Sequence, residues 1–261
     1  MSEPTADLIS IIVPTFQESA NLRLLTGRIF TALQAASLSG ELIIVDDDSR
    51  DGTDAVVDEL AKTYPIRLVV RQNERGLSGA VLRGFEESRG DTLLVMDADL
   101  SHPPERIPAV VAPIRDGTAD FVIGSRYVKG GKTVHWGWLR KLNSLVATWL
   151  AFPLARVRDP MAGFFSLRRK TWKQADRLNP IGYKIGLELL VKGRCRRVVE
   201  VPIEFSDRLH GQSKLTMRQQ YLYLVHLARL YRYRFGIWSW LLPLGVMVAL
   251  ASVLTRLWLR R

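Results

Sequence analysis

Along the first 125 positions, short apolar runs alternate with amphipathic stretches in a regular order. The run at 93–96 has four apolar residues without alternation, which fits a strand covered on both faces, as in a parallel sheet. Similar runs stand at 8–13, 42–45, 66–70 and 120–124, and Pro, Gly or acidic residues close them. Helical stretches follow at 21–36, up to Lys62, after Gly76 and after Pro104, where proline suits a first helical turn but not a central ladder. Repeated β-α units predict an α/β fold with a mostly parallel, Rossmann-like sheet and helices on both faces. Right-handed crossovers then gather the loops at the carboxyl ends of the strands, the edge where such sheets bind ligands.

The pattern changes after Lys132. Positions 138, 142, 145, 149 and 152 form one helical face carrying Trp138 and Trp149, with Arg140 and Lys141 alongside. That face suits a membrane interface, where aromatic rings lie at headgroup depth; an ordinary core helix is the alternative. A further helix at 216–233 carries Met217, Tyr221, Leu224, Ala228 and Tyr231 on one side. The 19 residues at 237–255 hold no charge, and at 1.5 Å per residue they nearly cross a ~30 Å hydrocarbon core. They predict a single C-terminal hydrophobic helix that spans the membrane, with an interfacial or re-entrant anchor as the alternative. Basic residues flank both ends, so charge does not orient it.

Charge divides with the pattern. Residues 1–125 hold 11 Lys+Arg against 20 Asp+Glu, a balance of −9, while residues 126–261 hold 26 against 6, a balance of +20. An acidic first half repels a polyanion laid across the whole molecule, so nucleic acid is not the expected partner; an anionic membrane surface or a phosphate group is. Cys195 is the only cysteine, which excludes an intrachain disulfide and a Cys-rich zinc site. The N-terminus has no secretory pattern, and the main domain is expected on the cytoplasmic side.

The strand-end loops carry the candidate chemistry: Glu18 after the first strand, Asp46 and Asp47 after the second, Asp97 and Asp99 after the fourth, Arg126 after the fifth. Asp97 and Asp99 face the same side if extended geometry persists, and two carboxylates there need a divalent cation or a donor network between them; Mg²⁺ or Mn²⁺ is the natural ion. Turn and cap roles are the alternative. The chain has no G-x-x-x-x-G-K-[ST] loop, and Gly76-Leu77-Ser78-Gly79 reads as helix entry and close packing. Carboxylates at these strand ends suit nucleoside hydroxyl and N–H groups, with a diphosphate held through a metal ion.

Three segments in order, Pro14-Thr15-Phe16-Gln17-Glu18, Asp46-Asp47-Asp48-Ser49-Arg50-Asp51-Gly52-Thr53 and Asp97-Ala98-Asp99-Leu100-Ser101-His102-Pro103-Pro104, resemble the sugar-nucleotide motifs of GT-A glycosyltransferases of family 2. The likeness is specifically to dolichol-phosphate mannose synthases and continues to Lys214. It implies donor-nucleotide binding by Pro14, Phe16, Glu18, Val45, Asp46, Asp47, Asp97, Ala98, Asp99, Arg208 and Lys214, and metal binding by Asp97, Asp99 and Ser101. Gln17 stands where Asn is common. Arg208-Leu209-His210-Gly211-Gln212-Ser213-Lys214 matches the family's R-x-x-G-x-S-K lid, with glycine between two cations. Residues 159–165, 182–190 and 198–205 resemble acceptor-side elements, where Glu188 reads as a structural acid more readily than as a group near the sugar.

The resemblance implies inverting transfer of mannose from GDP-mannose to a dolichyl or polyprenyl phosphate, with Asp99, Arg126, Arg208 and Lys214 catalytic and Arg126 and Arg140 on the lipid phosphate. Transfer of another sugar from a UDP-sugar is the alternative, ahead of a glycosyltransferase acting on a sugar hydroxyl or a non-catalytic scaffold. The expected organisation is a GT-A catalytic domain at 1–215, with an interfacial segment at about 132–154, a juxtamembrane helix at 216–235 and a membrane anchor at 236–261.

Overall fold

The computed structural model describes residues 5–134, 137–179, 181–206 and 217–236. Its central sheet has seven strands in the order β3-β2-β1-β4-β7-β5-β8. These are β1 (Thr5–Thr15), β2 (Gly40–Asp46), β3 (Ile66–Val70), β4 (Gly90–Val95), β5 (Phe121–Ser125), β7 (Phe165–Arg168) and β8 (Val198–Pro202). β1 pairs in parallel with both β2 and β4, β2 with β3, and β5 with β8. The five apolar runs of the first half are therefore five strands, within one to three residues of their expected ends.

The expectation of a mostly parallel sheet holds with one departure. β7 lies antiparallel between β4 and β5, which consequently do not touch each other in the ladder. The segment at 198–205 forms two strands, because β9 (Glu204–Phe205) leaves the main sheet to pair with β6 (Lys132–Thr133). Pro202, which has no N–H to continue the ladder, marks the break.

Successive residues along the strands feed opposite faces of the sheet. Ile11, Ile44 and Leu94 pack under α1 (Ser19–Ala35), α2 (Thr53–Leu60) and α4 (Ile107–Arg115). Ile12, Ile43 and Leu93 pack under α3 (Leu77–Glu87) and α7 (Ile185–Lys192). Burial on both sides is why these runs lack polar alternation. Pro104 opens a 3₁₀ turn, Pro104–Arg106, that leads into α4, as proline in a first turn favours.

A third cluster joins α5 (Trp138–Ala155), α7 and α8 (Met217–Phe235) through Ala151, Leu154, Leu187, Val191, Leu227 and Leu230. The Tyr223 and Tyr231 hydroxyls donate to the carbonyls of Ala147 and Leu150, fastening α8 along α5. Among the described residues no helix is long and apolar enough to cross a membrane, and the candidate span at 237–255 lies outside them.

Candidate active site

The loops after β1, β2 and β3 meet at the carboxyl edge. Asp46, at the end of β2, accepts hydrogen bonds from the Thr15 hydroxyl (3.0 Å), the Ser49 amide (2.7 Å) and the Ser49 hydroxyl (2.5 Å), while Ser49 Oγ accepts from the Gln17 amide (2.8 Å). Asp46 thus binds the two loops to each other. Asp47 accepts from the Gly76 amide at 2.7 Å, and its other oxygen stands 3.0 Å from Arg71 without hydrogen-bond geometry. Burial raises its carboxyl above the ordinary value, against the pull of Gly76 and Arg71. Gly76 has φ +132 and opens α3, and a Cβ on Gly79 would lie 2.9 Å from Arg71, so this glycine pair serves helix entry and close packing as its sequence reads.

Phe16 lies at the rim with the Arg75 guanidinium 4.9 Å above its ring. Glu18 occupies the N-cap position of α1 and accepts from Asn21 Nδ2 at 2.7 Å. Pro14 is half-buried at the end of β1. Val45 is different: its side chain belongs to the core beneath α3, which leaves only its backbone for a ligand.

The fourth loop corrects the simple strand-end picture of the acids. β4 ends at Val95, and the chain turns through Leu100 at φ +61, so Asp97 and Asp99 are not alternate residues of a strand facing one side. Asp99 is buried and accepts from the Ser101 amide (3.1 Å) and hydroxyl (2.6 Å). Asp97 is 32% exposed, and its carboxylate accepts no hydrogen bond among the described residues. Its backbone N–H donates to Nδ1 of His102 at 3.0 Å, which places the proton of the neutral ring on Nε2. Burial depresses the His102 imidazole below its ordinary 6.5 although Asp97 and Asp99 oppose it, and the ring stacks on Phe164 at 5.3 Å. Ala98 is buried within the turn.

These oxygen donors fit a hard divalent cation. One half-buried carboxylate that accepts no hydrogen bond among the described residues and one carboxylate preset by Ser101 would leave further positions around such an ion to substrate oxygens. Ser101 spends its hydroxyl proton on Asp99 and keeps oxygen lone pairs for the ion.

Arg126 follows β5 and is buried. Its Nε and Nη2 donate to the two oxygens of Asp159 at 2.7 Å each, and its backbone N–H donates to the same carboxylate at 2.9 Å. Burial works against the guanidinium charge, but Asp159 outweighs it and raises Arg126 above its ordinary value. The rings of Tyr127 and Phe205 flank the guanidinium at 5.2 and 5.4 Å. Phe205 also meets the edge of His102, and the Ser206 amide donates to the Ser101 carbonyl at 3.2 Å. The acid turn and Arg126 therefore share one wall. Arg208 and Lys214 lie outside the described residues, but the chain enters that segment directly from Ser206.

A 2.8 Å hydrogen bond between the hydroxyls of Tyr127 and Ser144 ties the Arg126 loop to the first half of α5, where Arg140 is exposed in the first turn. From there the apolar face runs outward: Trp138 is 72% and Trp149 76% exposed, with Leu142, Leu145 and Phe152 between and beyond them. Met217, Tyr221 and Leu224 of α8 are exposed too, while Tyr223, His226 and Leu230 pack inward. The core-helix alternative for α5 is excluded by this exposure. Glu188 takes the structural role: Oε1 accepts from Lys192 Nζ at 2.7 Å and from the Asn179 amide at 2.8 Å, with His226 of α8 3.5 Å from Oε2.

Two charged residues received no role from sequence. Asp159 looks like any turn acid before proline, and Lys184 like any helix-entry cation, because their partners lie 33 and 23 positions away. The Lys184 ammonium donates to the Met161 carbonyl at 2.6 Å. Burial, reinforced by the Arg126 charge, pushes this amine down to about 8.

Comparison with known proteins agrees with this fold. Residues 10–176 match the glycosyl transferase family 2 domain. A protein of Pyrococcus furiosus named dolichol-phosphate mannosyltransferase is 46% identical over 229 residues, which is 86% of this chain and 64% of the relative; the chain thus spans just under two thirds of that protein. One of the same name from Mycosarcoma maydis is 43% identical over 251 residues, 93% of this chain and 85% of the relative. Among solved structures, glucosyl-3-phosphoglycerate synthase from Mycobacterium tuberculosis in complex with Mn²⁺, uridine diphosphate and phosphoglyceric acid has a TM-score of 0.65 at 20% identity, covering 88% of this chain and 79% of that one. At that identity the likeness is one of fold.

Proposed function

The chain belongs to glycosyl transferase family 2, and from that membership we propose that it transfers mannose from GDP-mannose to a dolichyl or other polyprenyl phosphate at the cytoplasmic face of a membrane. The names of its relatives support the activity. The observation that carries the acceptor is the proximity of a buried cation to a helix with an exposed apolar face: Arg126 sits against the acid turn on one side and is tied, through the Tyr127–Ser144 hydrogen bond, to α5, whose Trp-bearing face is exposed. A phosphate monoester with a long apolar tail matches both halves of that junction.

The chemistry needs no general base. A phosphate monoester has a second pKa of about 6, so at neutral pH its oxygen is already a nucleophile. The acceptor oxygen bonds to the anomeric carbon while the bond to the donor diphosphate breaks, and in-line displacement inverts that carbon. The protein must align two anions and neutralise them. Pro14, Phe16, Glu18, Asp46 and Asp47, with the backbone of Val45 and Ala98, hold the nucleoside end. Asp97, Asp99 and Ser101 hold Mg²⁺ or Mn²⁺, and Mn²⁺ accompanies the diphosphate in the mycobacterial synthase. What the ion supplies when bound is charge neutralisation at the departing diphosphate. Arg208 and Lys214, which lie outside the described residues, serve that diphosphate, and Arg126 and Arg140 orient the lipid phosphate. Residues 1–215 form the catalytic domain, 216–235 a juxtamembrane helix and 236–261 the anchor.

Incubating the purified full chain with GDP-mannose, UDP-glucose and other sugar nucleotides, Mn²⁺ and a short polyprenyl phosphate tests the reading. A mannosyl phospholipid formed with GDP-mannose is the expected product. Transfer from a UDP-sugar instead replaces the donor assignment, and transfer only to sugar hydroxyls removes the lipid acceptor.

A further inference from the structure

Lys184 stands immediately before α7, and its surroundings are joined by one loop. Asp159 of that loop holds Arg126, the Met161 carbonyl anchors the Lys184 ammonium, and Gly163 lies so close to the acid turn that a Cβ there would be 3.4 Å from both Asp97 oxygens. Five residues of chain thus bring two cations and the exposed acid to one place.

Charge balance then isolates Lys184. The Arg126 charge is matched by Asp159, which is completely buried and bonded to it through both oxygens. A divalent ion at the acid turn uses the charge of Asp97 and Asp99. Lys184 lies over the Tyr183 ring at 4.6 Å, and among the described residues it has no carboxylate within ion-pair distance and gives one of its three N–H donors to a protein acceptor. A half-buried ammonium without a matched anion is costly, and the anions that this reaction brings are phosphate oxygens.

We propose that Lys184 is a substrate-binding residue whose remaining N–H groups hold a phosphate oxygen of the reacting pair, between the Asp97 turn and the Arg126–Asp159 pair. The inference rests on the glycosyl-transfer reading above. The phosphate belongs either to the lipid acceptor or to the donor diphosphate, and direct binding separates the two. A purely structural ammonium, present to fasten the Met161 carbonyl, is the competing role.

The test compares the full-length wild type, Lys184→Met and Lys184→Arg by calorimetry with two probes, farnesyl phosphate and GDP with Mn²⁺, alongside thermal unfolding. Loss of one charge-assisted phosphate contact weakens affinity by roughly ten- to a hundredfold. Lys184→Met is expected to lose that factor toward one or both probes, to melt within a few degrees of wild type, and to recover most of the affinity as Lys184→Arg. Weakening confined to farnesyl phosphate identifies the acceptor phosphate, and weakening confined to GDP the donor. Affinities within twofold of wild type for both probes overturn the proposal, as does a loss shared equally by both variants together with a lowered melting temperature. Wild-type protein that binds these probes but transfers no sugar to a lipid phosphate defeats the functional reading instead, and leaves the binding result for Lys184 intact.

Discussion

Replacing Asp159 with Ala removes a fully buried carboxylate that accepts three hydrogen bonds from Arg126. The Asp159 side chain has 0% exposure and that of Arg126 8%, and three hydrogen bonds of 2.7, 2.7 and 2.9 Å join them. Removing one partner of such a pair leaves an uncompensated charge and costs about 3–5 kcal/mol. For a domain of this size that corresponds to a fall in Tm of roughly 6–20 °C. Asp159→Asn keeps the shape and one acceptor and is expected to cost less. The informative variant is Arg126→Met with Asp159→Leu, which removes both charges and the side-chain donors, leaving only the backbone N–H of residue 126 without its acceptor. It should recover most of the stability lost by Asp159→Ala and remain unable to use the lipid phosphate, separating the pair's contribution to folding from its contribution to transfer. Thermal unfolding of wild type, the singles and the double supplies the cycle, with transfer to a short polyprenyl phosphate assayed on each. If the double variant melts no higher than Asp159→Ala, the cost is not that of a stranded charge. If it retains transfer, Arg126 has no part in the reaction.

Asp99→Asn keeps an acceptor for Ser101 but loses a charge, so it should bind Mn²⁺ at least tenfold more weakly and lose most transfer while its circular dichroism is unchanged; equal Mn²⁺ affinity would remove the metal assignment. Trp138 and Trp149 are expected to be quenched by brominated lipid in vesicles, and Trp149→Glu to weaken association with the bilayer while changing stability by no more than about 0.5 kcal/mol. Unquenched tryptophans would show that this face meets something other than lipid. Burial pushes the Glu188 carboxyl up, but His226, Lys192 and the Asn179 amide outweigh it and leave it below its ordinary 4.5. Its contribution is therefore present above pH 4.5 and lost as pH falls through the lower folded value, so Glu188→Gln should be less stable than wild type at pH 7 and approach it in acid. A gap between the two urea midpoints that does not narrow on acidification would contradict this origin.

The apolar runs, their turn residues and the amphipathic stretches are local facts, and they suffice for five strands, the α/β class and the outward face of α5. Each depends on residues a few positions apart: the unbroken run at 93–96 requires cover on both sides, and Trp138, Leu142, Leu145 and Trp149 share a face at any helical pitch near 3.6. The three acidic and proline-bearing motifs likewise carried the resemblance to family 2 glycosyltransferases, which the family match over residues 10–176 bears out, because residue order within a strand-end loop survives in the linear sequence. Less was legible at individual side chains. Val45 stands beside two nucleotide-loop acids, yet the alternation of β2 turns its side chain into the core. Asp97 and Asp99 differ in exposure because the left-handed Leu100 bends a segment that otherwise reads as extended.

What only the tertiary structure decided is the set of partners separated by tens of residues. The antiparallel insertion of β7 between β4 and β5 gives no local signal, since a four-residue strand reads alike in either direction. The Asp159 clamp on Arg126 and the seat of Lys184 on Met161 depend on the loop that precedes this strand, and a turn acid or a lysine does not reveal which distant charge it will meet. The sequence by itself determined that a sheet edge would gather acids and cations beside an apolar face, because hydrophobic periodicity sets elements and the handedness of crossovers sets edges. Which cation is neutralised within the protein, and which is left with donors for a substrate phosphate, is a matter of burial and distance, and these arise only when the chain is packed.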